Sequence, residues 1–185
     1  MYDLLITGGR ILDGTGTPWY YADVAVAGDR IVEIGRLGRV QAHRNIKADG
    51  CFVSPGFIDL HTHSDLHPLA NPLQEPKLRQ GVTTEVIGQD GLGLAPLTPS
   101  AALVLREQLA AWNGTPDVAW DWSTITTYLD RFDNRVAVNV AMLVPHGTLR
   151  LLVMGMEDRA PSGDEMARMR RMVDQAMREG TVGLS

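Results

Sequence analysis

Cysteine is almost absent from this 185-residue sequence. Cys51 stands alone, so there is no internal disulfide framework and a reducing compartment is expected. Long apolar runs are missing too. The longest uncharged stretch, Val136 to Leu149, contains Pro145 and falls short of the ~18 residues that a membrane helix needs. Near the N-terminus Asp3 precedes only Leu4-Leu5-Ile6, too little for the apolar centre of a secretion signal. Basic residues are outnumbered, 17 against 22 acidic, and the net charge of −5 gives no electrostatic footprint for nucleic acid. What is present, 44% hydrophobic and 21% charged residues, is ordinary for a globular chain and argues against wholesale disorder. The expectation is a soluble, cytoplasmic protein of one or two domains, without a nucleic-acid or membrane partner.

Residues 1 to about 55 read as short strands. Asp3-Leu-Leu-Ile-Thr7 runs into Gly8-Gly9, and Ile11-Leu12 into the turn-rich Asp13-Gly-Thr-Gly16. Asp23-Val-Ala-Val-Ala27 and Arg30-Ile-Val-Glu-Ile34 flank Gly28-Asp29, a strong hairpin signal. Ile46 to Ala48 and Cys51 to Val53 are further short strands, with Cys51 read as a small buried hydrophobe.

After Ser54-Pro55-Gly56 the texture changes. Apolar strands are expected at Phe57–His61, Thr83–Ile87, Val136–Val144 and from Thr181 to Leu184. Helices are expected between them, over Ala101–Trp112, over Thr124–Phe132 with Ser123 as N-cap, and over Asp164–Glu179. The last has the strongest signals. Ser162 and Glu165 form a capping box, Gly180 ends the helix, and Met166, Met169, Val173 and Ala176 make one apolar stripe. Strands alternating with helices imply parallel βαβ units and an α/β fold.

Chemistry concentrates in Pro55-Gly-Phe-Ile-Asp59-Leu-His61-Thr-His63-Ser-Asp65. On a strand, residues i and i+2 share a face, so Asp59, His61 and His63 would point the same way. Two adjacent imidazoles on rigid backbone suit zinc or another first-row metal. The preceding apolar strand, Gly56 at its start and the aligned Asp59 favour that reading over a chance His-x-His.

The same segment resembles the first barrel strand of the amidohydrolase superfamily, and within it the N-acyl-D-amino-acid deacylase (D-aminoacylase) family. Asp3 to Trp19, Gly81-Val-Thr-Thr-Glu-Val-Ile-Gly-Gln-Asp-Gly-Leu-Gly-Leu-Ala-Pro96, Trp122 to Asp130, Asn139 to Arg150 and Gly180 to Ser185 are similar to that family in the same order. The resemblance implies the N-terminal half of a (β/α)8 barrel preceded by a small β-rich segment. Residues 1–55 would be part of a composite β-sandwich, and residues 56–185 the first four βα units of an incomplete barrel. A complete barrel typically takes ~250 residues.

The resemblance also implies a chemistry, metal-dependent hydrolysis of N-acyl-D-amino acids. His61 and His63 inherit the role of metal ligands. The family's other early ligand is a cysteine in an Asn-Cys-Gly context, and Asp90 stands in that place within Gly88-Gln-Asp-Gly91. Carboxylate is a harder donor than thiolate, so the implied cofactor is one or two zinc ions, with manganese as the harder alternative. Asp90 equally suits a turn beside glycine. Remaining family ligands and the acid/base aspartate lie on later strands, so the isolated chain is expected to be inactive.

Asp65 and His146 are further candidates for the substrate pocket. Glu85 either lines the barrel or is a paired structural charge. His67 and His43 read as solvent-facing, and Trp112, Trp120 and Trp122 as pins for a loop between helices. Two other classes compete with the deacylase. One is a non-catalytic half-barrel that associates with itself or another chain through exposed sheet edges; the other is a hydantoinase- or dihydroorotase-like cyclic amidohydrolase. A cupin-type oxygenase fits poorly, because the next glutamate after His63 is Glu75.

Overall fold

The computed structural model describes all residues from Met1 to Ser185. The chain divides into two compact units, Met1–Pro55 and Gly56–Ser185.

The first unit is a β-sheet built on β1 (Tyr2–Ile11). Strands β2 (Tyr20–Ala27) and β3 (Arg30–Gly35) form the expected hairpin through Gly28-Asp29, with Ala27 opposite Arg30. β4 (Ala42–Lys47) and the two-residue β5 (Phe52–Val53) both pair with β1 in parallel. Between Ile6 and Gly9 the register of β1 slips, and Gly8 takes a left-handed φ of 73° that its missing side chain permits. The Asp23 carboxylate accepts from Gly8 N at 2.9 Å and Leu37 N at 3.1 Å, holding the bulge and the chain after β3 together. Ile11, Ala22 and Val24 are the buried core, with Ile6 and Val53 against them. Cys51 departs from its expected burial. It follows the turn closed by its own N–H on Ala48 O, which leaves it exposed.

The second unit is a parallel sheet whose strands lie side by side in chain order. They are β6 (Phe57–Asp59), β7 (Val82–Ile87), β8 (Asn139–Val144) and β9 (Gly183–Leu184). Parallel neighbours in chain order, joined by helical crossovers, are the arrangement of successive barrel strands. The connections carry α1 (His67–Ala70), α2 (Glu75–Leu78), α3 (Pro99–Asn113), α4 (Ile125–Leu129), α5 (His146–Met154) and α6 (Gly163–Arg178). Thr98 caps α3, and Thr124, rather than Ser123, caps α4 through a box with Thr127. Ile87, Met142 and Val144 of the sheet pack with Leu105, Leu109, Ile125, Tyr128, Leu149, Met169 and Ala176 of the helices in one core. Trp122 is buried there and donates to Leu94 O at 2.6 Å. No helix is long and apolar enough to cross a membrane.

Helix α6 shows how sequence reaches stability. Ser162 accepts from Glu165 N, and the Glu165 carboxylate accepts from Ser162 N at 2.7 Å and pairs with Arg159. The Arg159 guanidinium first, then the Ser162 N–H, holds the Glu165 carboxyl down at about 2. A carboxyl depressed by folding stabilises the fold above its unfolded value and loses that contribution as pH falls through its folded value. Glu165→Gln should therefore lower the thermal midpoint above pH 5, with the gap to wild type closing as the pH approaches 2. Melting curves across that range check it; a gap independent of pH would contradict the ionic origin of the cap.

Candidate metal centre

Strand β6 ends at Asp59, two residues earlier than expected, and His61 and His63 lie in the loop beyond it. Strand alternation therefore does not align them. Instead the loop is fastened to its neighbours at nearly every other residue. Asp59 Oδ2 lies 2.5 Å from Lys77 Nζ, and the same ammonium reaches Thr62 Oγ1 at 3.3 Å. Ser64 Oγ donates to Glu85 Oε2 at 2.5 Å, and Lys77 Nζ sits 3.1 Å from Glu85 Oε1. Asp65 Oδ1 accepts from Gly88 N at 3.0 Å, and Tyr128 donates its phenol proton to Asp65 O.

The third candidate, Asp90, stands on the turn that follows β7. Gly88 (φ 80°), Asp90 (φ 55°) and Gly91 (φ 72°) are all left-handed, which winds this turn tightly. Aspartate tolerates that conformation better than most side chains, and such strain recurs at functional sites. Gln89 ties the turn back to the histidine loop. Its side-chain amide donates to Leu60 O at 2.6 Å and Val86 O at 3.0 Å. On the far side Gly91 N donates to Ser185 Oγ at 3.1 Å.

These ties bring three side chains together. Asp90 Oδ2 lies 3.3 Å from His61 Nε2 and 3.2 Å from His63 Nε2, and one donor atom from each residue falls within 4.8 Å of the others. Four-coordinate zinc with bonds of about 2.0–2.2 Å places neighbouring ligands ~3.3–3.6 Å apart. The two histidine–aspartate separations match that spacing, which makes the three residues a candidate site for a divalent cation with at most three protein ligands. The side chains of His61 and Asp90 are 60% and 59% exposed, whereas His63 is 29% exposed beneath the ring of Trp112, stacked at 5.2 Å and 17°. Trp112, expected to pin a loop together with Trp120 and Trp122, parts from them. The latter two do stack on one another, and Trp112 at the end of α3 covers the histidine instead.

Asp65, expected in the pocket, is only 3% exposed and its carboxylate is spent on Gly88 N. Burial, reinforced by the charge of Glu85 and partly offset by the Gly88 N–H, raises its pKa to about 7. His146 is exposed at the start of α5, where its N–H donates to Ser185 O. His67 is exposed and bonds Gln74 through its ring. Glu85 is a paired buried charge, and its partner Lys77 was the residue that sequence reasoning missed. An isolated lysine on a four-residue helix carries no sequence signal of its own.

Residues 44–185 match the family model described as the amidohydrolase family, Amidohydro_3. A D-aminoacylase of Alcaligenes xylosoxydans xylosoxydans is 40% identical over 188 residues, which is 100% of this chain and 37% of that protein. A solved N-acyl-D-glutamate deacylase from Bordetella bronchiseptica, complexed with zinc and a phosphonate mimic of the tetrahedral intermediate, superposes with a TM-score of 0.84 at 37% identity, over 99% of this chain and 38% of that one. A D-aminoacylase structure described by the role of its binuclear metal centre gives the same TM-score and identity, over 100% and 38%. The chain thus spans a little over a third of the length of the relatives it matches. The similarity to D-aminoacylases expected from the motifs holds along the whole chain.

The turn that carries Asp90 leaves no room for a side chain at Gly88. A Cβ there would stand 2.5 Å from Leu143 O, at a φ that other residues rarely adopt. Gly88→Ala should destabilise the protein by about 1–3 kcal/mol. Urea unfolding measures this, and wild-type stability would show that the turn can relax.

Proposed function

The chain belongs to the amidohydrolase family, and on that premise we propose that it is the N-terminal, metal-binding part of a hydrolase that cleaves the amide bond of N-acyl-D-amino acids. The observation that carries this reading is the convergence of His61, His63 and Asp90 beyond the carboxyl ends of β6 and β7. Barrel enzymes build their active sites at that end of the sheet. Identity of 40% to a D-aminoacylase along the whole chain supports a deacylase over a hydantoinase- or dihydroorotase-like enzyme. On this reading residues 1–55 contribute to a β-sandwich and residues 56–185 supply the first four barrel strands.

His61 and His63 would hold the cation through imidazole nitrogens, and the Asp90 carboxylate would offset part of its charge. When bound, one or two zinc ions (or manganese, favoured by the oxygen donor of Asp90) supply Lewis-acid polarisation of the amide carbonyl and lower the pKa of water. The exposed sides of His61 and Asp90 leave the substrate a direct approach, while Trp112 closes one face of His63. Asp59, Asp65 and Glu85, the other carboxylates around the loop, are engaged by Lys77, Gly88 N–H and Ser64. Asp59 and Glu85 are tied to Lys77, and Asp65, with its raised pKa, is only 3% exposed and out of a substrate's reach, so residues 1–185 alone are expected to bind metal without turning substrate over. Phe57, Ile58, Val182 and Leu184 are exposed in and beside the edge strands β6 and β9. That apolar surface supports association of this chain through its sheet edges.

Zinc and manganese titrated calorimetrically into this chain test the reading. Wild type should bind at least one ion, and His61→Ala should lose at least tenfold in affinity. Asp90→Cys should shift the preference towards zinc. A chain completed to the relatives' length should hydrolyse N-acetyl-D-amino acids and lose that activity to a chelator. Absence of binding by wild type, or indifference to His61→Ala, would contradict the assignment.

A further inference from the structure

Three charged side chains and two hydroxyls around the histidine loop form a cluster that binding of a cation does not itself require. Glu85 projects from β7 with 0% exposure. Its two oxygens are divided: Oε2 accepts from Ser64 Oγ, and Oε1 faces the Lys77 ammonium at 3.1 Å. Lys77 comes from α2 and is shared with Asp59 and Thr62. Its burial opposes the charged form, but the hydrogen bonds and charges of Asp59 and Glu85 outweigh burial and leave the pKa raised. The ammonium therefore stays charged.

The pattern along the chain is what carries the inference. Asp59, Thr62 and Ser64 are held by Lys77 and Glu85, and the residues they bracket are His61 and His63. Asp59 Oδ1 also accepts from His61 N at 3.3 Å, so the carboxylate fastened to Lys77 touches the backbone of the first histidine. The opposite face of the loop is tied to the Asp90 turn through Gln89 and Asp65, and to α4 through the Tyr128 hydroxyl on Asp65 O. We propose that Lys77 and Glu85 are positioning residues, an ionic clamp that fixes the loop at the spacing at which both imidazoles meet the Asp90 carboxylate. Beyond Asp59 β6 has ended and no strand pairing holds the loop, so its shape depends on side-chain ties, of which the clamp supplies those at Asp59, Thr62 and Ser64.

A buried ion pair is a costly way to gain stability. Replacing both partners with apolar residues is often neutral or stabilising, whereas removing one leaves an unpaired buried charge. This separates positioning from folding. In the double variant Lys77→Met/Glu85→Leu the charge left behind is that of Asp59, whose side chain is 29% exposed rather than buried, so the thermal midpoint should stay within a few degrees of wild type. Affinity for zinc should fall about 10–100-fold, the usual loss when groups that orient metal ligands are removed. The visible absorption of bound cobalt should change in the same variant, as ligand geometry loosens. Ser64→Ala, which removes one tie and no charge, should show a smaller loss in the same direction.

The inference rests on the metal assignment above, and the same titrations separate the two. If wild type binds no zinc, the metal assignment falls and the clamp with it. If wild type binds and the double variant matches it in affinity and cobalt spectrum, the clamp alone is overturned. Should the double variant fail to unfold cooperatively, Ser64→Ala decides: weakened binding supports the clamp, and unchanged binding overturns it.

Discussion

Glu85 keeps its carboxylate where no solvent reaches it, and an ionised carboxylate without partners costs several kcal/mol in such a place. Its neighbours are arranged around that constraint. β7 sets it opposite Asp59 of β6 in the parallel register, which puts two acidic residues side by side. Lys77 between them offsets the repulsion, and Ser64 satisfies the remaining oxygen. Both Lys77 and Ser64 reach the site from segments outside the sheet. The path of the loop from Leu60 to Asp65 follows from that pairing, and the positions of His61 and His63 follow from the path of the loop.

A second set of ties comes from the turn after β7. Gly88 sits where any side chain would strike Leu143 O, and its N–H is the partner of the buried Asp65 carboxylate. Gln89 reaches Leu60 O. The turn and the histidine loop are thus held against each other on both flanks of the ligand pair. Asp90, in its left-handed conformation, then projects between the two imidazoles. Packing, backbone conformation and donor spacing are consequences of one arrangement.

Legibility from sequence followed the range of the interactions. Helix α6 was readable almost to the residue, because a capping box and a single apolar stripe act within the helix itself. The hairpin of β2 and β3 was readable for the same reason. The parallel pairing of β4 with β1 was not, since it joins segments with no turn between them. His61 and His63 stood out as a motif, but the strand was expected to carry them, and it stops at Asp59. Asp90 was visible only through the family resemblance, since its approach to the histidines depends on three left-handed residues and a distant serine. Asp65 looked like a pocket residue and is a buried strut. Cys51 looked buried and is exposed, because a turn beginning at Ala48 carries it outward.

Two imidazoles and one carboxylate oxygen beyond the ends of β6 and β7 make a donor set that a divalent cation would report directly. X-ray absorption at the zinc edge of the zinc-loaded protein reports that donor set without reference to activity. The expected spectrum shows a shell of nitrogen and oxygen at about 2.0–2.2 Å, with the outer-shell scattering of two imidazole rings. A sulfur neighbour at about 2.3 Å, which only Cys51 or a methionine could provide, or a spectrum without imidazole scattering, would contradict it.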